Sequence, residues 1–383
     1  MKGPPATSDS AWCISKGVLP ISANPDKKNI KAPIGWTIMF GKEDWFSTIV
    51  TKFNDFEIKL SDVKTKNRSF DELLDYFKSF DIVKQIEDYK SNTGTSKLKK
   101  FQALKNFLKN DGQNSNQTNY TYYGRNRSKV LLFEIKKSRQ VQKRYSFINK
   151  NLGFDIPQNE KFVYYPLHIE QERNLLLAAP FFTNQIELIR NIAKSLPINY
   201  KLLVKEHPAQ ETREWRAISD YKKIMKIPNV ILIHPTVPSQ EILEKCSLVV
   251  TIGGTTGLEA AFYRKPSIIL SQMDYSILPS VEFVQDVHEL SNKIKESLEK
   301  EVKADDLDRF IQIYEKNSFE FDYMDFVTKY HESFYFNGNL LDTKINENDM
   351  RLFLQENENI LKKVTNEHIE KIKKFNRREI NEK

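Results

Sequence analysis

The chain has 383 residues, 39% of them hydrophobic and 29% charged, and a formal net charge of +8 from 59 Lys and Arg against 51 Asp and Glu. That length allows two domains with real cores, while two distant cysteines, Cys13 and Cys246, exclude a disulfide-rich scaffold and fit a reducing compartment. No apolar run approaches the roughly 18 residues that span a bilayer, and Met1-Lys-Gly-Pro-Pro-Ala lacks the apolar centre of a signal peptide, so a cytoplasmic protein is expected, at most peripheral at the inner face of the cell membrane.

Residues 1 to about 60 carry short apolar pieces, Gly17-Val-Leu-Pro-Ile-Ser, Gly35-Trp-Thr-Ile-Met-Phe and Trp45-Phe-Ser-Thr-Ile-Val, which read as two or three strands. Residues 68–109 read as helical, with apolar positions at Phe70, Leu73, Leu74 and Phe77 and again at Leu98, Phe101, Leu104, Phe107 and Leu108. Residues 111–127, rich in Asn, Gln, Gly and Tyr, read as a loop, and 128–150 as a basic helix. Charge concentrates here: residues 95–150 hold 14 basic and 2 acidic side chains, leaving the remainder slightly acidic. The plain reading of such a run is a solvated helical face. The functional reading is contact with anionic lipid headgroups or an anionic glycan; no nucleic-acid motif accompanies the charge, so nucleic acid is not expected as a partner.

From Lys161 onward strands alternate with helices: strand 161–166, helix 184–196, strand 200–204, a helical piece around 213–225, strand 229–233, helix 239–246, strand 247–252, helix 256–264, strand 266–270 and helix 287–302. Such alternation predicts an α/β fold with a doubly wound parallel, Rossmann-like sheet. Residues 305–383 read as helical throughout. The expected division is therefore an irregular, helix-rich half over 1–150, the sheet domain over 155–303 and a helical extension over 304–383.

Ligands of doubly wound sheets sit beyond the carboxyl ends of the strands, and the polar motifs fall at those ends. Gly253-Gly254-Thr255-Thr256-Gly257 links a strand to a helix; its glycines permit close backbone approach, and the helix start favours a phosphate. Thr256 and Glu259 fit a capping box, which competes with a ligand role for Glu259 such as binding ribose hydroxyls. Thr255 is then available for phosphate. Lys205, Glu206 and His207 close the strand before Pro208, which holds His207 extended; the three either solvate the strand exit or serve a site in which His207 donates to a phosphate or shuttles a proton. His168, Glu170, Glu172 and Arg173 follow the first strand of the domain in the same way and also fit a surface loop. Ser239 reads first as a helix N-cap and second as a nucleotide contact, and Cys246 as a small apolar residue packed at a helix end.

Five pieces, Pro166-Leu-His, Asn184-Gln, Val204-Lys-Glu-His-Pro, Pro228-Asn-Val and Thr255-Thr-Gly-Leu-Glu-Ala, together resemble the capsule polysaccharide biosynthesis family over about residues 155–300. Proteins of that family look like GT-B glycosyltransferases, some of which transfer Kdo from a CMP-sugar. The resemblance implies that 155–303 is the nucleotide-sugar-binding half and 1–150 the acceptor side, although few convincing strands appear there. It further implies that His207 and the Gly254-Thr255-Thr256 turn hold the donor phosphate, that Glu259 supports the nucleotide and that His168 and Glu172 line the cleft. Joined to the reading of the strand ends, this makes Lys205, Glu206, His207, Ser239, Gly253, Gly254, Thr255, Thr256 and Glu259 the expected donor-binding residues and His168, Glu172 and His207 the expected catalytic ones. The expected activity is metal-independent transfer of a sugar from a nucleotide-activated co-substrate to a glycan or glycolipid acceptor, with no further cofactor. A nucleotide-sugar epimerase on the same fold and a non-catalytic nucleotide- or glycan-binding assembly protein are the rival readings.

Overall fold

The computed structural model describes residues 39–40, 60–78, 97–109, 127–170, 175–176, 179–207, 210, 216–316, 318–319, 323–340, 343 and 345–381. The chain divides into two units, one of residues 56–78 and 134–314, the other of residues 1–55, 79–133 and 315–383. The first is built on a parallel sheet of six strands: β1 Lys161–Pro166, β2 Tyr200–Lys205, β3 Val230–Ile233, β4 Leu248–Thr251, β5 Ser267–Ile269 and β6 Val281–Phe283. The described α-helices are α1 Phe70–Lys78, α2 Lys97–Lys109, α3 Arg127–Asn151, α4 Gln185–Ser195, α5 Ile218–Met225, α6 Ser239–Lys245, α7 Thr256–Phe262, α8 Leu290–Leu298, α9 Ala304–Lys316, α10 Tyr323–Phe334, α11 Glu347–Glu356 and α12 Glu358–Asn381.

In space the strands run β3-β2-β1-β4-β5-β6. The chain therefore starts mid-sheet, winds outward through β2 and β3, then returns to the other side of β1 and winds out through β5 and β6. The order reverses between β1 and β4, and a crevice opens at such a point because neighbouring connections leave toward opposite faces. The register levels the tips there. Pro166 pairs with Lys205, and Tyr164 with Val249; continuing both ladders puts His168, His207 and Gly253 on one row.

Helices on both faces explain why the strands are nearly continuous apolar runs. Successive side chains alternate between faces. Val163, Tyr165, Leu202, Val204, Leu248 and Val250 join one buried cluster with Ile148 of α3, Leu188 and Ile192 of α4, Tyr221 and Ile224 of α5, and Leu290 and Ile294 of α8. Tyr164, Leu203, Lys205, Val249 and Thr251 face the other side, that of α6 and α7. There α1 covers α7, with Phe77 stacked on Phe262 at a ring separation of 4.7 Å. A capping box starts α1: Glu72 N–H donates to Ser69 Oγ and Ser69 N–H to Glu72 Oε2. The segment before α1 is tied in by Asp308 of α9, whose fully buried carboxylate accepts from Thr65 Oγ1 (2.6 Å), Lys66 N (2.5 Å) and Arg68 Nε (2.5 Å). Burial alone would raise this carboxyl; the bonds from Thr65, Arg68 and Lys66 outweigh it and hold the group below its ordinary value.

The α/β class, the parallel sheet and the helical C-terminal region are as the sequence predicts. Three details differ. Strand β6 was not expected, because three residues containing Glu282 give no alternation to read. The helix expected over 287–302 is a 3₁₀ turn over Val287–Glu289 followed by α8. Residues 305–383 are not helical throughout: Ser318 and Phe319 pair in parallel with Met39 and Phe40. The strand pieces at 17–22 and 45–50, most of that at 35–40 and the loop over 111–126 lie outside the described residues.

Two glycines are needed for packing. A Cβ on Gly257 would lie 2.7 Å from the Tyr275 hydroxyl and 3.0 Å from its ring, and one on Gly254 would lie 3.0 Å from Thr251 Oγ1 and 3.1 Å from His168 Cε1. Tyr275 is itself buried and donates to the Gly254 carbonyl at 2.5 Å. Gly257→Ala is therefore expected to cost about 1–3 kcal/mol through overpacking, read as a fall in the urea midpoint that Tyr275→Phe, lacking the clashing oxygen, partly restores in the double variant.

In the second unit Ala103 and Phe107 of α2 pack with Leu340, and Leu131 and Phe336 lie against them. Phe326, Tyr330 and Phe334 of α10 meet Phe353 of α11 at ring separations of 5.2 to 5.8 Å.

Candidate functional site

The tips of β1, β2 and β4 are bonded to one another at the reversal point of the sheet. His168, two residues past β1, is buried. Its Nε2 lies 2.9 Å from Thr251 Oγ1 and accepts from the Ile252 N–H at 3.2 Å. The Gly254 N–H donates to the same Thr251 oxygen at 3.1 Å. Since Nε2 accepts from a backbone N–H, the proton of the neutral ring belongs on Nδ1 and the Thr251 hydroxyl donates to Nε2. Burial, then the neighbouring His207 and the Arg216 charge, push the ring down to about 3. A chain of bonds thus runs from the Gly-Thr turn through Thr251 into His168. Gln185 fixes the other side, accepting from His168 N–H (2.8 Å) and donating to its carbonyl (3.0 Å).

Strand alternation sends Lys205, the last residue of β2, and Glu206, which follows it, in opposite directions. Glu206 turns to the α5 face, where it is 1% exposed and fully hydrogen-bonded. Its Oε2 accepts from Arg216 Nε at 2.8 Å and Tyr221 OH at 2.9 Å, and its Oε1 from the His207 N–H at 2.9 Å. Burial raises this carboxyl, opposed by the Arg216 charge and these donors. Arg216 also donates to the His168 carbonyl and to Glu170, so one guanidinium ties the β1 tip to the β2 tip. With every Glu206 oxygen engaged inside the protein, this side chain is part of the frame around the site.

Lys205 turns the other way and is 3% exposed. Its Nζ donates to Ser239 Oγ at 2.8 Å, and among the described residues that is its one hydrogen-bond partner. A buried ammonium with three donors and one acceptor is costly unless a ligand completes it. Burial pushes the amine down to about 8, with the Glu259 charge acting upward. Glu259 accepts from Thr255 Oγ1 at 2.7 Å; burial raises its carboxyl, against the Thr255 hydroxyl and the Lys205 charge. Two expectations are corrected here. No capping box joins Thr256 to Glu259, because Thr255 occupies the cap position in a helical conformation without a side-chain cap bond and its hydroxyl goes to Glu259. Ser239 is the first residue of α6 and not its cap, which is Pro238, and its oxygen serves Lys205.

Gly253 is buried behind Met273, while Thr255 and Thr256 are half-buried at the start of α7, and their N–H groups make no hydrogen bond among the described residues. His207 is half-buried at the same edge. The cluster that the structure assembles is therefore Lys205, Ser239, Thr255 and Glu259, beside His168, His207 and the Gly253-Gly254 turn. Glu172, Arg173 and Pro208 lie outside the described residues. Cys246 packs as expected at the end of α6, buried, its thiol pushed up to about 12 by burial. His234 is also structural: buried, bonded to Thr236 and Asn149, and stacked on Phe154. Arg216 and Thr251 were missed by sequence reasoning, since neither stands in a recognisable pattern. No three His, Cys, Asp or Glu side chains gather as metal ligands would among the described residues.

The family described as capsule polysaccharide biosynthesis protein matches residues 70–306. The chain belongs to this family. As a capsule polysaccharide biosynthesis protein it carries every assembled site residue within the matched span. No curated protein matches it. Among solved structures it is similar to KpsC of Thermosulfurimonas dismutans, a β Kdo 2,7 transferase, at 16% identity over 40% of this chain and 50% of that one, with a TM-score of 0.28. It is also similar to the UDP-GlcNAc 2-epimerase of Methanocaldococcus jannaschii (15% identity, 49% and 53% of the chains, TM-score 0.31) and to the spinosyn rhamnosyltransferase SpnG complexed with thymidine diphosphate (14%, 45% and 46%, TM-score 0.26). The match spans about half the length of each of these structures.

Proposed function

We propose that this capsule polysaccharide biosynthesis protein transfers a sugar from a nucleotide-activated donor to a glycan or glycolipid acceptor. The observation that carries the reading is the buried, under-coordinated Lys205 ammonium beside the bonded tips of β1, β2 and β4. An ammonium, His207 and the N–H groups of Thr255 and Thr256 are the donors that a phosphate leaving group needs, and preorganised donors of this kind stabilise charge as it develops. In the step envisaged, an acceptor hydroxyl oxygen attacks the anomeric carbon and gives up its proton to solvent as the bond from that carbon to the phosphate oxygen breaks. The bonding pair departs on the phosphate, facing Lys205 and His207. Glu259, beside Lys205, suits the donor's ribose hydroxyls. The family resemblance favours a CMP-sugar as co-substrate. His168, its Nε2 lone pair engaged, positions the Gly-Thr turn.

The test is incubation of the purified chain with CMP-, UDP- and GDP-sugars, with and without a membrane glycan acceptor. Nucleotide release that requires acceptor is the expected result. Isomerised sugar without acceptor, or binding without turnover, would replace this reading. His207→Ala is expected to weaken donor binding about tenfold, the worth of one hydrogen bond to a charged group, with an unchanged Tm; unaltered affinity would remove His207 from the site.

A further inference from the structure

Helix α2 turns a basic apolar face to solvent. Its sequence, Lys97-Leu-Lys-Lys-Phe-Gln-Ala-Leu-Lys-Asn-Phe-Leu-Lys109, contains five lysines and no acidic residue. Ala103 and Phe107 point inward to Leu340 and Leu131. Leu98, Phe101, Leu104 and Leu108 recur every three or four residues on another face and are 65%, 65%, 43% and 52% exposed. Lys97, Lys105 and Lys109 fall along that same face. A helix that merely solvates its unit would place polar groups there; this one places leucines and a phenylalanine, each within reach of a cation. Large exposed apolar residues in a row mark an interaction surface. Their partner must accept apolar side chains a few ångströms deep while presenting negative charge above them.

We infer that the outward face of α2 is an interfacial membrane anchor, lying in the plane of an anionic bilayer with Leu98, Phe101 and Leu104 among the upper acyl chains and the lysine ammonium groups at the lipid phosphates. Charge complementarity selects this occupant: α2 itself carries five lysines and no acidic residue, and three of the lysines lie along the apolar strip. Lysine stems run along the apolar strip while their heads reach the headgroups, and binding of this kind combines buried apolar area with attraction to anionic lipid. Among the described residues no helix is long and apolar enough to cross a membrane, so this contact rests on the surface. The inference stands on α2 alone and holds whatever reaction the sheet unit performs.

The test uses the full chain and sucrose-loaded vesicles, of phosphatidylcholine alone or with one third phosphatidylglycerol, with binding read by sedimentation. The chain should sediment with the phosphatidylglycerol vesicles, remain free with phosphatidylcholine, and be released by high salt. The set Leu98→Gln, Phe101→Gln and Leu104→Gln, and separately the set Lys97→Gln, Lys105→Gln and Lys109→Gln, should each weaken sedimentation by about tenfold, with unchanged Tm because all six side chains lie on the surface. Either of two results would overturn the inference: no sedimentation of the native chain with anionic vesicles, or native-level sedimentation of either variant. A dimer in solution that the glutamine-for-leucine set dissolves would instead assign this face to a second copy of the chain, and would overturn it too.

Discussion

Glu206→Ala should destabilise the sheet unit by about 3–5 kcal/mol, the cost of leaving one member of a buried ion pair without its partner. The Arg216 side chain is 3% exposed and that of Glu206 0%. Removing the carboxylate strands the guanidinium with the half-exposed Glu170 and the His168 carbonyl, and leaves the buried Tyr221 hydroxyl and the His207 N–H without their acceptor. Against a typical total of about 5–15 kcal/mol such a loss is decisive. Urea unfolding followed by circular dichroism reads it directly. Arg216→Met should cost a comparable amount, because Glu206 is then buried with no cation. The double variant Glu206→Leu, Arg216→Met should recover much of the loss, since well-packed apolar replacements of a buried pair are often neutral. Strict additivity of the two single effects would mean that the pair is not coupled.

Lys205→Met should have the opposite signature: large for the ligand and small or favourable for the fold. Methionine keeps the length and apolar stem of the side chain and removes a buried charge whose one described hydrogen-bond partner is Ser239. The Tm should hold or rise, while affinity for a nucleotide-sugar should fall about ten- to a hundredfold, as a charge-assisted hydrogen bond is worth about 1.5–3 kcal/mol. Isothermal titration with the donor identified in the turnover assay measures this. Lys205 also predicts a pH profile. With the amine at about 8, donor binding should weaken as pH rises from 7 to 9 and the ammonium is lost; in Lys205→Met that inflection should vanish. The effect on folding has the reverse sign. The folded value lies below the ordinary 10.5, so the unfolded chain holds more protons between the two, and stability should rise with pH across that window. A Lys205→Met variant that loses stability and keeps its affinity would make the lysine a structural residue.

The strand and helix alternation from residue 161 onward was legible because each parallel strand is a short apolar run bounded by turn residues, and each covering helix has its own periodic face. Strand β1 follows the predicted 161–166, and α4 starts one residue after its Asn184 cap. The site was legible as a set of strand-end motifs. Its wiring was not. Thr256-Gly-Leu-Glu has the spacing of a capping box, yet Glu259 takes the hydroxyl of Thr255 and feels the Lys205 charge; the box forms instead at Ser69-Phe-Asp-Glu. Arg216 gave no signal, since its three partners come from residues 168, 170 and 206, brought to it by the pairing of β1 with β2.

What the amino-acid order determined by itself is the local content: which segments become strands, which helices cover them, and which polar residues arrive at the carboxyl ends. Tertiary structure decided the partners. Pleat alternation sends Lys205 to one face and Glu206 to the other, so adjacent residues in the chain have unrelated roles. The strand order puts β1 beside β4 across a long stretch of sequence, and only there do His168, Thr251 and the Gly-Thr turn meet. Those pairings depend on contacts between distant segments, which local patterns do not encode, and on them rests the separation between the Glu206–Arg216 frame and the Lys205 site.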